Sequence, residues 1–120
     1  MADTTTTVAE LKDIAAKFVQ DRDWRQFHGA KNLSMAIVGE AAELMELFTW
    51  AQNAQEAAGI VQQKKQAVTE EVADIITGIL MFCNEFNIDL SQAVKEKMIK
   101  NEQKYPIEKA KGVNKKYTDL

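Results

Sequence analysis

The sequence predicts an all-α fold of about four helices, from three observations. No stretch shows the apolar–polar alternation of a half-buried strand. One Pro and five Gly in 120 residues leave few places to turn, which favours long helices with short connections. Apolar residues recur at i, i+3, i+4 and i+7 behind residues able to cap a helix start.

Thr7 and Glu10 form a T-x-x-E capping box, followed at helical spacing by Leu11, Ile14, Ala15 and Phe18. They predict a first helix over about 8–20. Residues 21–32, DRDWRQFHGAKN, break the period and read as a loop rich in aromatic and polar groups. Asn32 is a candidate N-cap for a second helix running to about Gln52. Residues 53–61 contain Asn53 and Gly59 and read as a polar connection. A third helix follows over about 62–86. Asp89 and Gln92 give another box-like start, so a fourth helix spans about 90–104 and stops before Pro106. The Lys-rich segment 106–120 shows little periodicity. The chain 1–120 thus reads as one domain with one core. Residues 1–7 and about 107–120 are expected to be flexible or packed on a neighbouring subunit.

The second and third helices are apolar nearly all round, which makes them the central pair, packed antiparallel. Met35, Val38, Met45, Ile76, Leu80 and Cys83 lie roughly opposite the acidic residues discussed below. A chain of this length has little left to cover that second face. It reads as a subunit interface of a homo-oligomer, a tetramer ahead of a dimer. The alternative is cover by the first and fourth helices of the same chain.

Composition excludes several classes. Hydrophobic residues make up 46% and charged residues 28%, ordinary for a soluble globular protein. A net charge of -3 provides no global field to recruit nucleic acid. No apolar run reaches the ~18 residues of a spanning helix, and residues 1–7 lack the features of a signal peptide. The single Cys83 cannot form an internal disulfide and reads as a small buried apolar residue in a reducing cytosol. A cytoplasmic location is expected.

Glu40, Glu43, Glu71 and Asp74 stand apart from this ordinary background. They form two pairs, E-A-A-E and E-V-A-D, with the i, i+3 spacing that puts both side chains on one helix face. On a wheel with Glu40 at zero, Leu33, Leu44, Leu47 and Ala51 fall within about 40°. Glu43 lies about 60° to one side, near Trp50. With Glu71 at zero, Ile75, Gly78 and Phe82 fall within about 40°, and Asp74 lies about 60° to the same side. Surface solvation is the usual fate of acids such as Glu46, Glu70 and Glu96. Glu40 and Glu71 instead sit mid-stripe, where a carboxylate needs compensation. Two such helices, antiparallel, place four carboxylates around one point, a cage for a hard cation. All-oxygen ligands suit Mg²⁺, with Mn²⁺ as alternative. A ferritin-like di-iron site needs Glu-x-x-His pairs, and the sole histidine, His28, belongs to none. Mg²⁺ with few protein ligands commonly shares its shell with substrate phosphates, which points to phosphoryl chemistry on a nucleotide.

Other residues fit that substrate. Trp24, Phe27 and Trp50 offer flat surfaces for a base, and Gln26 or His28 could read its edge. The competing role for these aromatics is stapling the loop to the core. Lys97, Asn101 and Lys104 share one face of the fourth helix, with Lys100 alongside. Such a face can clamp a triphosphate, or it is simply solvated.

The chain resembles the MazG-like all-α nucleotide pyrophosphohydrolases in its E-x-x-E pair, 27 intervening residues and E-x-x-D pair. Residues 22–52, EEVADI at 70–75, IDLSQAVKEKMIKNEQKYP at 88–106 and the closing KYTDL at 116–120 are similar to the dCTP pyrophosphatase branch. The resemblance implies hydrolysis of a nucleoside triphosphate, dCTP or a modified dCTP, to monophosphate and pyrophosphate, in nucleotide-pool house-cleaning. It implies Glu40, Glu43, Glu71 and Asp74 as catalytic metal ligands. It places the DWRQFH segment and Trp50 at the base, and Lys97 and Asn101 at the phosphates. One departure stands out: the branch has a tyrosine four residues after the motif's Asp, where this chain has Gly78. Gly inside a helix costs about 1 kcal/mol relative to Ala, so Gly78 either opens the pocket beside Asp74 or permits close helix packing. The reading from another class is a non-catalytic nucleotide-binding or adaptor protein on the same scaffold.

Overall fold

The computed structural model describes all residues from Met1 to Leu120. They form helices and connecting turns, with no strand, in two compact units, Met1–Asn87 and Ile88–Leu120.

The first unit contains α1 (Val8–Asp21), a 3₁₀ turn (Arg25–Phe27), α2 (Ala30–Glu46), α3 (Ala54–Gln63) and α4 (Lys65–Glu85). The α2–α4 contact is the most extensive, and α1 and α3 also pack on α4. α4 is therefore the hub. α1 begins where its capping box predicts: Thr7 Oγ1 accepts from the Glu10 amide at 3.1 Å.

α2 departs from expectation at both ends. It starts at Ala30 behind Gly29, and Asn32 lies inside it. The Asn32 side chain instead donates Nδ2 to the Phe27 carbonyl at 3.1 Å, tying the first turn to the loop before it. At the other end, regular helix stops at Glu46, and the amides of Leu47, Phe48 and Thr49 each bond three residues back. That tightening ends the helix without Gly or Pro.

Residues 53–61 are not a polar connection but most of α3. Asn53 Oδ1 accepts from the Glu56 amide at 2.9 Å, and Glu56 Oε2 accepts from the Gln52 amide at 2.8 Å. This reciprocal cap was legible as Asn53-x-x-Glu56, but the helix behind it is short and weakly apolar.

The second unit contains α5 (Leu90–Lys104), α6 (Ile107–Ala110) and a 3₁₀ turn (Tyr117–Asp119). Asp89 Oδ1 caps α5 by accepting from the Gln92 amide at 2.9 Å. After Pro106 the chain forms α6 and the closing turn. The Tyr117 ring lies edge-on to Tyr105, and the Lys104 ammonium sits over it. The count thus rises from about four helices to six, by α3 and α6.

The buried core is small: Ala15, Val19, Leu33, Leu80 and Cys83. Leu80 and Cys83, expected on the uncovered face, are buried within the chain, whose α1 packs on α4. The other four residues of that face remain open: Met35 is 61% exposed, Val38 68%, Met45 67% and Ile76 44%. No helix is long and apolar enough to cross a membrane.

Candidate metal centre and active site

α2 presents Glu40 and Glu43, and α4 presents Glu71. One carboxylate oxygen from each lies within 4.8 Å of the others. Glu40 and Glu71 are half-buried, while Glu43 is exposed. Glu40 Oε2 and Glu71 Oε2 are sealed from solvent with no hydrogen-bond partner. Lys17 pairs with Asp21 and Arg25 with Glu85, so neither of these cations compensates the cluster.

The electrostatics follow. Burial, and then the charge of Glu43, raise the Glu40 carboxyl above its ordinary range. Glu71 is also raised, first by burial and then by hydrogen bonding to Glu43 and the charges around it. Asp74, exposed on α4, lies outside the tight cluster, yet its charge contributes to both shifts. Buried polar atoms normally have partners, so two orphaned carboxylate oxygens on residues of one cluster call for a donor or a cation. Hard oxygen ligands in such a cluster fit a divalent cation.

The helix crossing that builds the cluster is visible at Gly78. A Cβ there would lie 3.0 Å from Ile37 Cγ1 and 4.0 Å from the Ile37 Cα. Glycine allows α2 to approach α4 here, and Ile37 occupies the space a side chain would take. Of the two roles predicted for Gly78, close packing accounts for these distances. Ile37 meets Gly78 while Glu40 meets Glu71, so numbers fall along α2 as they rise along α4. The pair is antiparallel, as predicted.

The loop residues have different surroundings. Trp24 packs edge-to-face against Phe18 with ring centroids 5.6 Å apart. Gln26 spends its amide on the Asp23 carbonyl at 3.0 Å. Phe27 is 60% exposed. His28 lines a cavity of about 500 Å³ between α1, this loop and α4. Trp50, in the turns after α2, is 86% exposed. Lys97, Asn101 and Lys104 lie on α5 of the second unit. Asn101 is half-buried, and its Nδ2 approaches Met98 Sδ at 3.8 Å.

Sequence reasoning missed the partner that anchors the loop. Arg25 Nε donates to Glu85 Oε2 at 3.1 Å, joining the 3₁₀ turn to the last turn of α4. These residues are sixty positions apart, and no local pattern links them.

Comparison with known proteins fits this geometry. The family model described as MazG-like matches residues 35–120. The chain belongs to the MazG-like family. Among curated relatives, dCTP pyrophosphatase 1 of Rattus norvegicus is 38% identical over 115 residues, covering 95% of this chain and 68% of that protein. The protein of the same name from Homo sapiens is 35% identical over the same shares. A crystal structure of a pyrophosphatase from Archaeoglobus fulgidus aligns with a TM-score of 0.81 and 38% identity, covering 88% of this chain and 98% of that one. The family match begins within α2, so the 22–29 loop rests on the longer curated alignments.

Proposed function

We propose that the chain is a Mg²⁺-dependent nucleoside triphosphate pyrophosphohydrolase, with Mn²⁺ able to substitute. Its substrate in this reading is a dNTP, dCTP or a modified dCTP first, converted to the dNMP and pyrophosphate in nucleotide-pool house-cleaning in the cytoplasm. The supporting observation is the convergence of Glu40, Glu43 and Glu71 with two orphaned oxygens. The dCTP pyrophosphatase relatives and the archaeal pyrophosphatase support the reaction class.

Glu40 and Glu71 would hold the cation, with Glu43 and Asp74 completing the acidic set. A cation bound there supplies charge neutralisation for the triphosphate oxygens and makes a bound water more acidic. Glu43, the exposed member of the cluster, orients a water for in-line attack on the α-phosphorus and takes its proton. The new P–O bond forms as the bond to pyrophosphate breaks. Trp24, Gln26, Phe27, His28 and Trp50 form the base-recognition set of this reading, and Lys97, Asn101 and Lys104 the phosphate set. Residues 1–120 act as one catalytic domain. The exposed Met35, Val38, Met45 and Ile76 support a homo-oligomer, a tetramer ahead of a dimer.

The test incubates the protein with a panel of dNTPs and Mg²⁺ and detects inorganic pyrophosphate. Release with dCTP or a modified dCTP is expected. Tight nucleotide binding without release would establish the non-catalytic role instead.

A further inference from the structure

The 22–29 loop is held unevenly. Arg22 lies over the Phe18 ring and donates to the Phe18 carbonyl. The amides of Asp23 and Trp24 return to the Gln20 and Val19 carbonyls. Gln26 bonds back to Asp23, and Asn32 reaches the Phe27 carbonyl. These bonds tie the loop to itself, to α1 and to the start of α2. The polar tie to α4 is Arg25, whose Nε stands 3.1 Å from Glu85 Oε2 and 3.4 Å from Oε1. The Glu85 side chain is 23% exposed and that of Arg25 76%.

Two features give this tie its effect. First, α4 also carries Glu71 and Asp74. The ion pair therefore references the loop to the helix of the acidic cluster, which the bonds to α1 do not. Second, the loop moves as a unit around Arg25. In the 3₁₀ turn the Phe27 amide donates to the Trp24 carbonyl at 2.9 Å, and the His28 amide to the Arg25 carbonyl at 3.0 Å. Fixing Arg25 thus fixes the residues on both sides of it. Glu85 lies about 16 Å beyond Asp74 along the axis of α4 and about 20° round it. At that distance the pair is out of reach of a phosphate at the carboxylates, and its influence passes through the loop.

We infer that Arg25 and Glu85 are positioning residues for substrate recognition: their ion pair holds Trp24 and His28 at the separation from the acidic cluster that a bound nucleotide needs. The inference rests on the activity and the base-recognition set proposed above and adds what places that set. Contacts to the base are shared by bound substrate and transition state, so loosening them raises KM and leaves kcat to the carboxylates. A largely exposed ion pair has a modest effect and one that salt screens.

The experiment measures kcat and KM for pyrophosphate release with Mg²⁺, using the full chain and the dNTP that the wild type turns over best. Arg25→Ala and Glu85→Ala are each expected to raise KM about three- to fivefold with kcat unchanged. These two substitutions change the net charge in opposite directions. A general attraction for an anionic substrate would move their KM values in opposite directions, whereas loss of the pair moves both upward. Arg25→Glu and Glu85→Arg each place like charges together and raise KM further. The double variant, with the pair reversed, is expected to recover most of the loss, which a role in stability or in direct phosphate binding does not produce. Added salt should narrow the gap between the wild type and either alanine variant. Circular dichroism and melting temperature confirm the fold. An unchanged KM in a folded alanine variant overturns the inference, as does a fall in kcat alone or a reversed pair no better than the single reversals. If the Glu85 variants do not fold, Arg25→Ala and Arg25→Gln, altered at the exposed partner, decide by the same split of KM from kcat. No pyrophosphate from any dNTP with the wild type overturns the activity itself and this role with it, a result distinct from the others.

Discussion

Ile37 of α2 fills the space where a side chain on Gly78 of α4 would begin, its Cγ1 standing 3.0 Å from the place of a Cβ. Glu40 lies three residues from Ile37, and Asp74 four residues from Gly78. This contact therefore sets the helix separation and register at which the carboxylates meet.

Gly78→Ala places a helix-propensity gain of about 1 kcal/mol against the cost of overpacking, about 1–3 kcal/mol. Ile37 is β-branched and stiff, so overpacking wins. The variant is expected to lose about 1 kcal/mol in urea unfolding. In an Ile37→Ala background the same change becomes neutral or stabilising, because the opposing Cγ1 is gone. An unchanged effect of Gly78→Ala in the two backgrounds would refute the contact.

Glu40→Gln and Glu71→Gln should each lower kcat/KM by at least about a hundredfold with Mg²⁺ present. Asp74→Asn should cost less, since Asp74 lies outside the tight cluster. Near-wild-type rates for Glu40→Gln and Glu71→Gln would rule out the metal cage.

The raised carboxyls also fix the sign of a pH effect. With metal removed by chelation, folded Glu40 and Glu71 keep protons that the unfolded chain has released. Their contribution to stability therefore falls as pH rises from the ordinary carboxylate range through their raised values, and is flat above. Glu40→Gln is expected to flatten this slope and raise the melting temperature of the metal-free protein at neutral pH. Mg²⁺ should stabilise the wild type more than the variant. A metal-free melting temperature rising across that window in the wild type and equally in Glu40→Gln would contradict this account.

The open face of Met35, Val38, Met45 and Ile76 predicts association. Light scattering is expected to give a dimer or tetramer, and Val38→Glu a smaller species with helical content retained. A wild-type monomer at micromolar concentration would exclude the interface.

Asn53→Ala removes the side-chain acceptor at the start of α3 and should cost about 1 kcal/mol, read as a lower denaturant midpoint.

By itself, the sequence determined the local facts. Thr7 and Asp89 cap helices because a side-chain oxygen next to a free amide is a near-neighbour event. E-A-A-E and E-V-A-D share a helix face because 3.6 residues per turn fixes that spacing wherever the helix lies. Asn53-x-x-Glu56 was equally local and legible, but the short helix behind it shows too little apolar periodicity to stand out. Tertiary structure decided the rest. Glu43 joins Glu40 and Glu71 while Asp74 stands outside, a difference set by helix separation and register at Ile37 and Gly78. Leu80 and Cys83 are buried while Ile76 is exposed, although periodicity put all three on one face. Arg25 finds Glu85 across sixty residues. Each of these depends on the relative placement of two elements, which comes from packing across the fold and leaves no mark in either segment alone.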